Sequence, residues 1–145
     1  MKEQIDTIKM EKMVKIAQLY QGTSGKYVFI APTCKQDFLD EAQMQQNCLA
    51  SYVNKFVDGD CIIMFMRNKK EPTQSLVTIE IRKDDEGNYT HINQRYQARN
   101  RACTTEQNEA IDKWLKRAIN RVNKKNKGEE IEVDEELTAI LASME

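Results

Sequence analysis

The sequence predicts an α+β domain, an antiparallel sheet of three to four strands with helices packed on one face. Three observations carry that expectation. Ser75–Arg82 alternates with period two, setting Val77, Ile79 and Ile81 on one face and Thr78, Glu80 and Arg82 on the other. The connections 68–74 and 83–88 are short and polar, as antiparallel hairpins require. Thr104-Thr-Glu-Gln107 is a capping box that opens the stripe Ile111, Trp114, Leu115, Ala118 and Val122.

Taken in order, Met13, Ile16, Ala17 and Tyr20 recur at helical spacing, so residues 1–20 are expected to form an amphipathic helix closed by Gln21-Gly-Thr-Ser-Gly25. Tyr27-Val-Phe-Ile30 is a short β-prone run ended by Pro32. Thr33-Cys-Lys-Gln36 fits a capping box, and the helix behind it should run to about Val57, burying Phe38, Leu39, Ala42, Leu49, Tyr52, Val53 and Phe56. Its stripe weakens at Met44-Gln-Gln-Asn47, where a kink or break is expected. Asp58-Gly-Asp60 then turns the chain into three strands at 61–67, 75–82 and 89–97. The division expected is an N-terminal helix and linker (1–25), the α+β domain (26–123), and a basic-to-acidic tail (124–145) ending in a short helix.

With 145 residues the chain has one domain's length. Its 22 Lys+Arg against 23 Asp+Glu leave a net charge of -1, so no general attraction to polyanions is expected. A mean hydropathy of -0.71 is polar, but the content of Ile, Val, Leu and Phe is too high for disorder throughout. The longest uncharged apolar run, Cys61–Met66, is far short of the ~20 residues of a membrane helix. The start Met1-Lys-Glu-Gln-Ile-Asp lacks a secretory h-region, so a cytoplasmic protein with no membrane partner is expected. Cys34, Cys48, Cys61 and Cys103 form no C-x-x-C, and with one histidine they give no zinc spacing; neither a metal nor a cofactor is expected.

Charge is uneven along the chain. From Arg95 to Lys127 ten basic residues (Arg95, Arg99, Arg101, Lys113, Lys116, Arg117, Arg121, Lys124, Lys125, Lys127) face three acidic ones. From Gly128 onward there are seven acidic residues and no basic one. The plain reading is a solvated helix face followed by an acidic tail. The functional reading is a nucleic-acid or nucleotide surface over Arg95–Lys127 that the tail covers. With only Tyr96 and Trp114 as interleaved aromatics, selective single-strand binding is poorly supported.

Two stretches are more particular than scaffold needs: Asn47-Cys-Leu-Ala-Ser-Tyr52 with Gly59 and Ile62–Arg67, then Thr78-Ile-Glu-Ile81 with Ile92-Asn-Gln94 and Asn100-Arg101. Here the chain resembles the PcfJ-like family of conjugative plasmids and phage-like elements. That family's pattern reads His-Cys-Val-x-Ser-Tyr, a Gly, an I-x-F-x-R strand, T-x-E, a strand ending in Gln, and Asn-Arg before a capped helix. Cys48, Ser51, Tyr52, Gly59, Ile63, Phe65, Arg67, Thr78, Glu80, Gln94, Asn100, Arg101, Thr104 and Glu106 match it over residues 27–122. Asn47 stands where the family has His, and an amide cannot replace a titrating base.

The catalytic candidates are therefore Glu80, Cys48 and His91, with Cys48 more readily explained as a buried helix residue and His91 as a strand-surface residue. The candidate binding residues are Asn47, Ser51, Tyr52, Arg67, Glu80, Gln94, Arg95, Asn100 and Arg101. Simple hairpin register puts Gln94 or a neighbour across from Glu80, either as a ligand site or as a network fixing strand register. The function expected is a mobile-element accessory protein that binds a host or mobile-element protein, including as a counter-defence inhibitor; the alternatives are an enzyme on a nucleotide or nucleic acid using Glu80, Gln94, Asn100 and Arg101, and a DNA-binding accessory factor for transfer or replication.

Overall fold

A computed structural model describes residues 2–47 and 49–145. The fold is α+β, with helices α1 (Lys2–Gln18), α2 (Lys35–Gln45), α3 (Val53–Val57), α4 (Thr105–Asn126) and α5 (Glu135–Ser143). Strands β1 (Gly22–Ser24), β2 (Tyr27–Ile30), β3 (Cys61–Asn68), β4 (Val77–Lys83), β5 (Tyr89–Gln97) and β6 (Arg101–Ala102) form one antiparallel meander, each pairing with the next.

The sheet therefore has six strands, not three to four. The two missed are its edges, β1 and β6, with three and two residues. Gly22-Thr-Ser24 reads as loop by composition, yet it pairs with Tyr27–Phe29 around a two-residue connection in which Gly25 takes φ 58. Gly22 has a second role. A Cβ there would lie 2.9 Å from Arg121 Nη2 and 3.4 Å from Trp114 Cδ1, so its bare backbone lets α4 approach the edge.

Helices cover both faces rather than one. Phe65 and Met66 point to opposite sides of β3. On the Phe65 side Phe38 of α2 packs edge-on to Phe65 (6.4 Å between ring centroids) and tilted to Phe56 of α3 (5.2 Å). On the Met66 side Phe29, the register partner of Met66, stacks flat on Trp114 of α4 at 4.4 Å. Consistent with this, Cys61–Arg67 is buried at every position. That is why the run lacks polar alternation: a strand covered on both faces has no solvent side.

The helical expectations hold with local corrections. Met13, Ala17 and Tyr20 are buried, as are Ile111, Trp114, Leu115 and Ala118, and the Thr104–Gln107 capping box is present in both directions. The second helix breaks where its stripe weakens: α2 stops at Gln45, Gln46 turns left-handed at φ 53, and a 3-10 turn (Leu49–Tyr52) leads into α3. Leu39 is exposed rather than core. The α2 N-cap is Cys34, one residue later than expected, because Asp37 reaches back to accept from both Thr33 N–H and Thr33 Oγ1 at 2.7 Å. The tail is anchored: Leu137, Ile140, Leu141 and Met144 pack against the core, α5 lies against β1, and Glu136 pairs with Lys69 at 2.7 Å.

Candidate functional site

The polar face of β4 creates the site. Glu80 lies between Ile63 on β3 and Gln94 on β5, the expected partner, which two register shifts in the β4–β5 ladder rather than simple register bring opposite it. Set in an apolar sheet, Glu80 is only 3% exposed, and its carboxylate is held by two donors: Arg82 Nε to Oε2 at 3.1 Å and Asn93 Nδ2 to Oε1 at 2.7 Å. Asn93 reaches it because the ladder slips between Glu80 and Ile81, so that Asn93 and Gln94 both oppose Glu80 across a bulge.

Above this floor lies a cleft of about 380 Å³ lined by Asn47, Tyr52, Thr78, Glu80, Gln94 and Asn100, with Leu49, Ile63 and Tyr96 supplying apolar wall. Tyr52 donates to Gln94 Oε1 at 3.3 Å, and Asn47 Oδ1 accepts from Leu49 N–H at 2.9 Å, which fixes its amide. Two left-handed segments form the rim. Gln46 (φ 53) faces Arg99 (φ 59) and Asn100 (φ 60), tied by Arg99 Nε to Gln46 Oε1 at 2.8 Å. These are the only non-glycine residues with positive φ among the described residues. Such conformations are costly for side-chain-bearing residues and concentrate at functional sites.

Five of the predicted residues, Asn47, Tyr52, Glu80, Gln94 and Asn100, thus share one cleft. The others do not line it. Arg67 is buried with Glu41, to which Nη2 gives a hydrogen-bonded ion pair, and Nη1 donates to Pro72 O at 2.8 Å. Arg95 points to the other face and pairs with Asp112 at 2.8 Å; Arg101 is exposed and bonds Ala98 O. Ser51 is exposed on the 3-10 turn. His91 is exposed opposite Arg82, beyond the cleft's lining. Cys48 lies outside the described residues. Cys61, buried beneath Glu80, has its thiol pushed up to about 12 by burial and then by the neighbouring carboxylate, which removes it as a nucleophile at neutral pH.

Two residues of consequence escaped the sequence reading. Asn93 was hidden by the bulge between Ile92 and Gln94, which only the pairing with β4 creates. Glu41 is fully buried and accepts from Ser75 Oγ (2.8 Å) and Thr78 Oγ1 (3.0 Å) besides Arg67, which ties the cleft wall to α2. Its spacing from Phe38 and Gln45 placed it on the inner face of α2, and that polar residue on a core stripe was the signal. Among the described residues no group of three or more His, Cys, Asp or Glu side chains comes together as a metal-holding cluster. Nor is any described helix long and apolar enough to cross a membrane.

A family model described as PcfJ-like protein matches residues 1–112 of the 145. The chain belongs to the PcfJ-like family. The match takes in α1, all six strands and every residue lining the cleft, and it stops one residue before Lys113 on α4. No curated protein and no solved structure matches this PcfJ-like chain.

Proposed function

We propose that this PcfJ-like protein is a binding module of a mobile element, an accessory protein that receives a planar polar group of a host or mobile-element protein in the β4–β5 cleft. The observation that carries the reading is the division of labour inside the cleft. Glu80 has both carboxylate oxygens engaged within the protein, whereas Asn47 and Gln94 engage only their amide oxygens and, among the described residues, no side-chain hydrogen bond ties Asn100, so these amides keep donors for the cleft they line. A side-chain amide offers a donor and an acceptor in one plane, the complement of a peptide group, and it neither accepts nor releases a proton in the neutral range. Asn47, at the position where the family has His, continues that pattern. The left-handed rim favours the same reading, since it holds Asn100 at the mouth in a backbone conformation that concentrates at functional sites.

The test is site-specific photocrosslinking in the cells that carry the element, with a photoreactive residue at Asn100 and a control at Glu109 on α4. A single protein adduct, present at 100, absent at 109 and lost on Gln94→Ala, is expected. A purified protein that turns over a nucleotide, and stops on Glu80→Gln with its fold intact, would replace the binding reading with an enzymatic one.

A further inference from the structure

The exposed side of α4 has a chemistry unrelated to the cleft. Residues 113–127 hold seven basic residues (Lys113, Lys116, Arg117, Arg121, Lys124, Lys125, Lys127) and no acidic one. Arg121 turns inward: its Nη2 donates to Gln21 O at 2.8 Å and Tyr20 O at 3.3 Å. The outward set is Lys113, Lys116, Arg117, Asn120, Lys124 and Lys127, all exposed. At 100° per residue they fall within an arc of about 100°, opposite the buried stripe of Ile111, Trp114, Leu115 and Ala118. At 1.5 Å per residue the line from Lys113 to Lys127 is about 21 Å long.

Among the described residues, none of the six has an ion pair or side-chain hydrogen bond within the protein. The nearest preceding acid, Asp112, is taken by Arg95. Lys124 and Lys127 gain something from the negative end of the helix; Lys113, Lys116 and Arg117 lie mid-helix and have no such role. Among the described residues no carboxylate of the acidic tail forms an ion pair with the line either. After Gly128 (φ 77) the chain reverses, Asp134 sits 3.4 Å from Thr23 Oγ1, and Glu136 pairs with Lys69, which places the charged start of α5 at the β1 edge.

We infer that this line of cations and one amide on α4 is a docking surface for the phosphate backbone of duplex nucleic acid, independent of the cleft. Lysine, arginine and asparagine are the side chains that contact phosphate oxygens. A straight row about 21 Å long spans about six phosphates at 3.4 Å per step. Trp114 stacked on Phe29 and bonded through Nε1 to Tyr20 O at 2.7 Å holds the helix rigid, so the charges are organised before binding. Single strands are disfavoured because the row contains no aromatic stacking platform. A membrane surface is disfavoured because the helix's apolar stripe is already buried against the sheet. The family match ends at residue 112, so the surface belongs to the part of the chain beyond it.

Fluorescence anisotropy with a 20-base-pair duplex of arbitrary sequence, from 50 to 200 mM NaCl, tests the inference. Five phosphate contacts give a log–log salt slope of about -4.5, a loss of about 500-fold over that range. The exposed triple variant Lys113→Gln/Lys116→Gln/Arg117→Gln should retain the wild-type melting temperature, flatten the slope by about 2.7, and weaken binding at 50 mM at least tenfold. A Gln94→Ala variant should bind the duplex as wild type does, which separates failure of this surface from failure of the cleft reading. The inference is overturned by no binding at 50 mM, by an unchanged slope in the triple variant, or by equal or tighter binding to single strands, polyglutamate or vesicles with 30 mol% anionic lipid.

Discussion

Glu80 and Gln94 face each other across one rung of the sheet, yet substitutions should affect them in opposite ways. Glu80→Gln keeps the shape but removes the charge that Arg82 and Asn93 share at a site 3% exposed. It is expected to cost about 1–3 kcal/mol, the range for leaving buried polar partners poorly matched, in urea unfolding. Gln94→Ala loses one hydrogen bond of 3.3 Å at the cleft wall, and should stay within about 1 kcal/mol of wild type while binding is lost. A Glu80→Gln protein of full stability would mean that the Arg82 and Asn93 contacts are idle. Glu41 and Arg67 make the sharper case. Arg67→Ala leaves a fully buried carboxylate without its cation and should cost about 3–5 kcal/mol, whereas the double change Glu41→Gln/Arg67→Met should recover most of that loss. If the double variant is no better than the single one, the charge of Glu41 is not what the pair exists to hold.

At the scale of elements, α4 is the keystone and α5 the brace. Trp114 is fully buried, stacks on Phe29 and donates to Tyr20 O, so Trp114→Ala is expected to cost about 3–5 kcal/mol. Deleting residues 129–145 should cost about 1–3 kcal/mol, since Leu137, Ile140, Leu141 and Met144 are only partly covered and α5 must be ordered to cover them. An unchanged melting temperature would return the segment to the status of a free acidic tail, as its sequence alone implied. What the sequence disclosed, and what it hid, follows from how local each signal is. The capping box at Thr104, the alternation of β4 and the break after Met44 are written within a few residues, and each appears in the fold. The edges β1 and β6 are too short to carry a period, and their hydrogen bonds depend on neighbours already being in place. The two-sided cover of β3 was legible as an unbroken apolar run, but its continuity, not its composition, was the clue. The cleft was legible in the Glu80–Gln94 pairing but not in the two bulges that produce it, nor therefore in Asn93, because a bulge is a property of two strands together.

Across the whole molecule, the chain's ends and its middle meet at Tyr20. Its hydroxyl donates to Tyr89 O at 2.8 Å, its carbonyl receives Trp114 Nε1, and the Tyr89 hydroxyl donates in turn to Gly59 O. The α1–β1 connection, the α3–β3 turn, β5 and α4 are thus joined through Tyr20 and Tyr89. Burial, followed by the nearby Tyr89, pushes the Tyr20 hydroxyl from 10.0 to about 12; burial, followed by Cys61, does the same for Tyr89. Each group keeps its proton more firmly in the folded state than in the unfolded one. Their contribution is therefore complete below the unfolded value, near pH 10, and is lost as pH rises from there toward 12. Cys61 acts with the same sign from 9.0 upward. The urea midpoint should consequently be insensitive to these groups from pH 7 to 9 and fall steeply between 10 and 12, with Tyr20 and Tyr89 ionising only as the fold opens. Absorbance at 295 nm, recorded alongside far-ultraviolet circular dichroism, measures both events at once. Tyr89→Phe starts from a lower midpoint because Gly59 O loses its donor, but its decline above pH 10 should be shallower, since one of the two coupled ionisations is gone. Were all five tyrosines to titrate near 10 with the fold intact, the phenols would be solvated, and the junction at Tyr20 would not be what holds the two ends of the chain to the sheet.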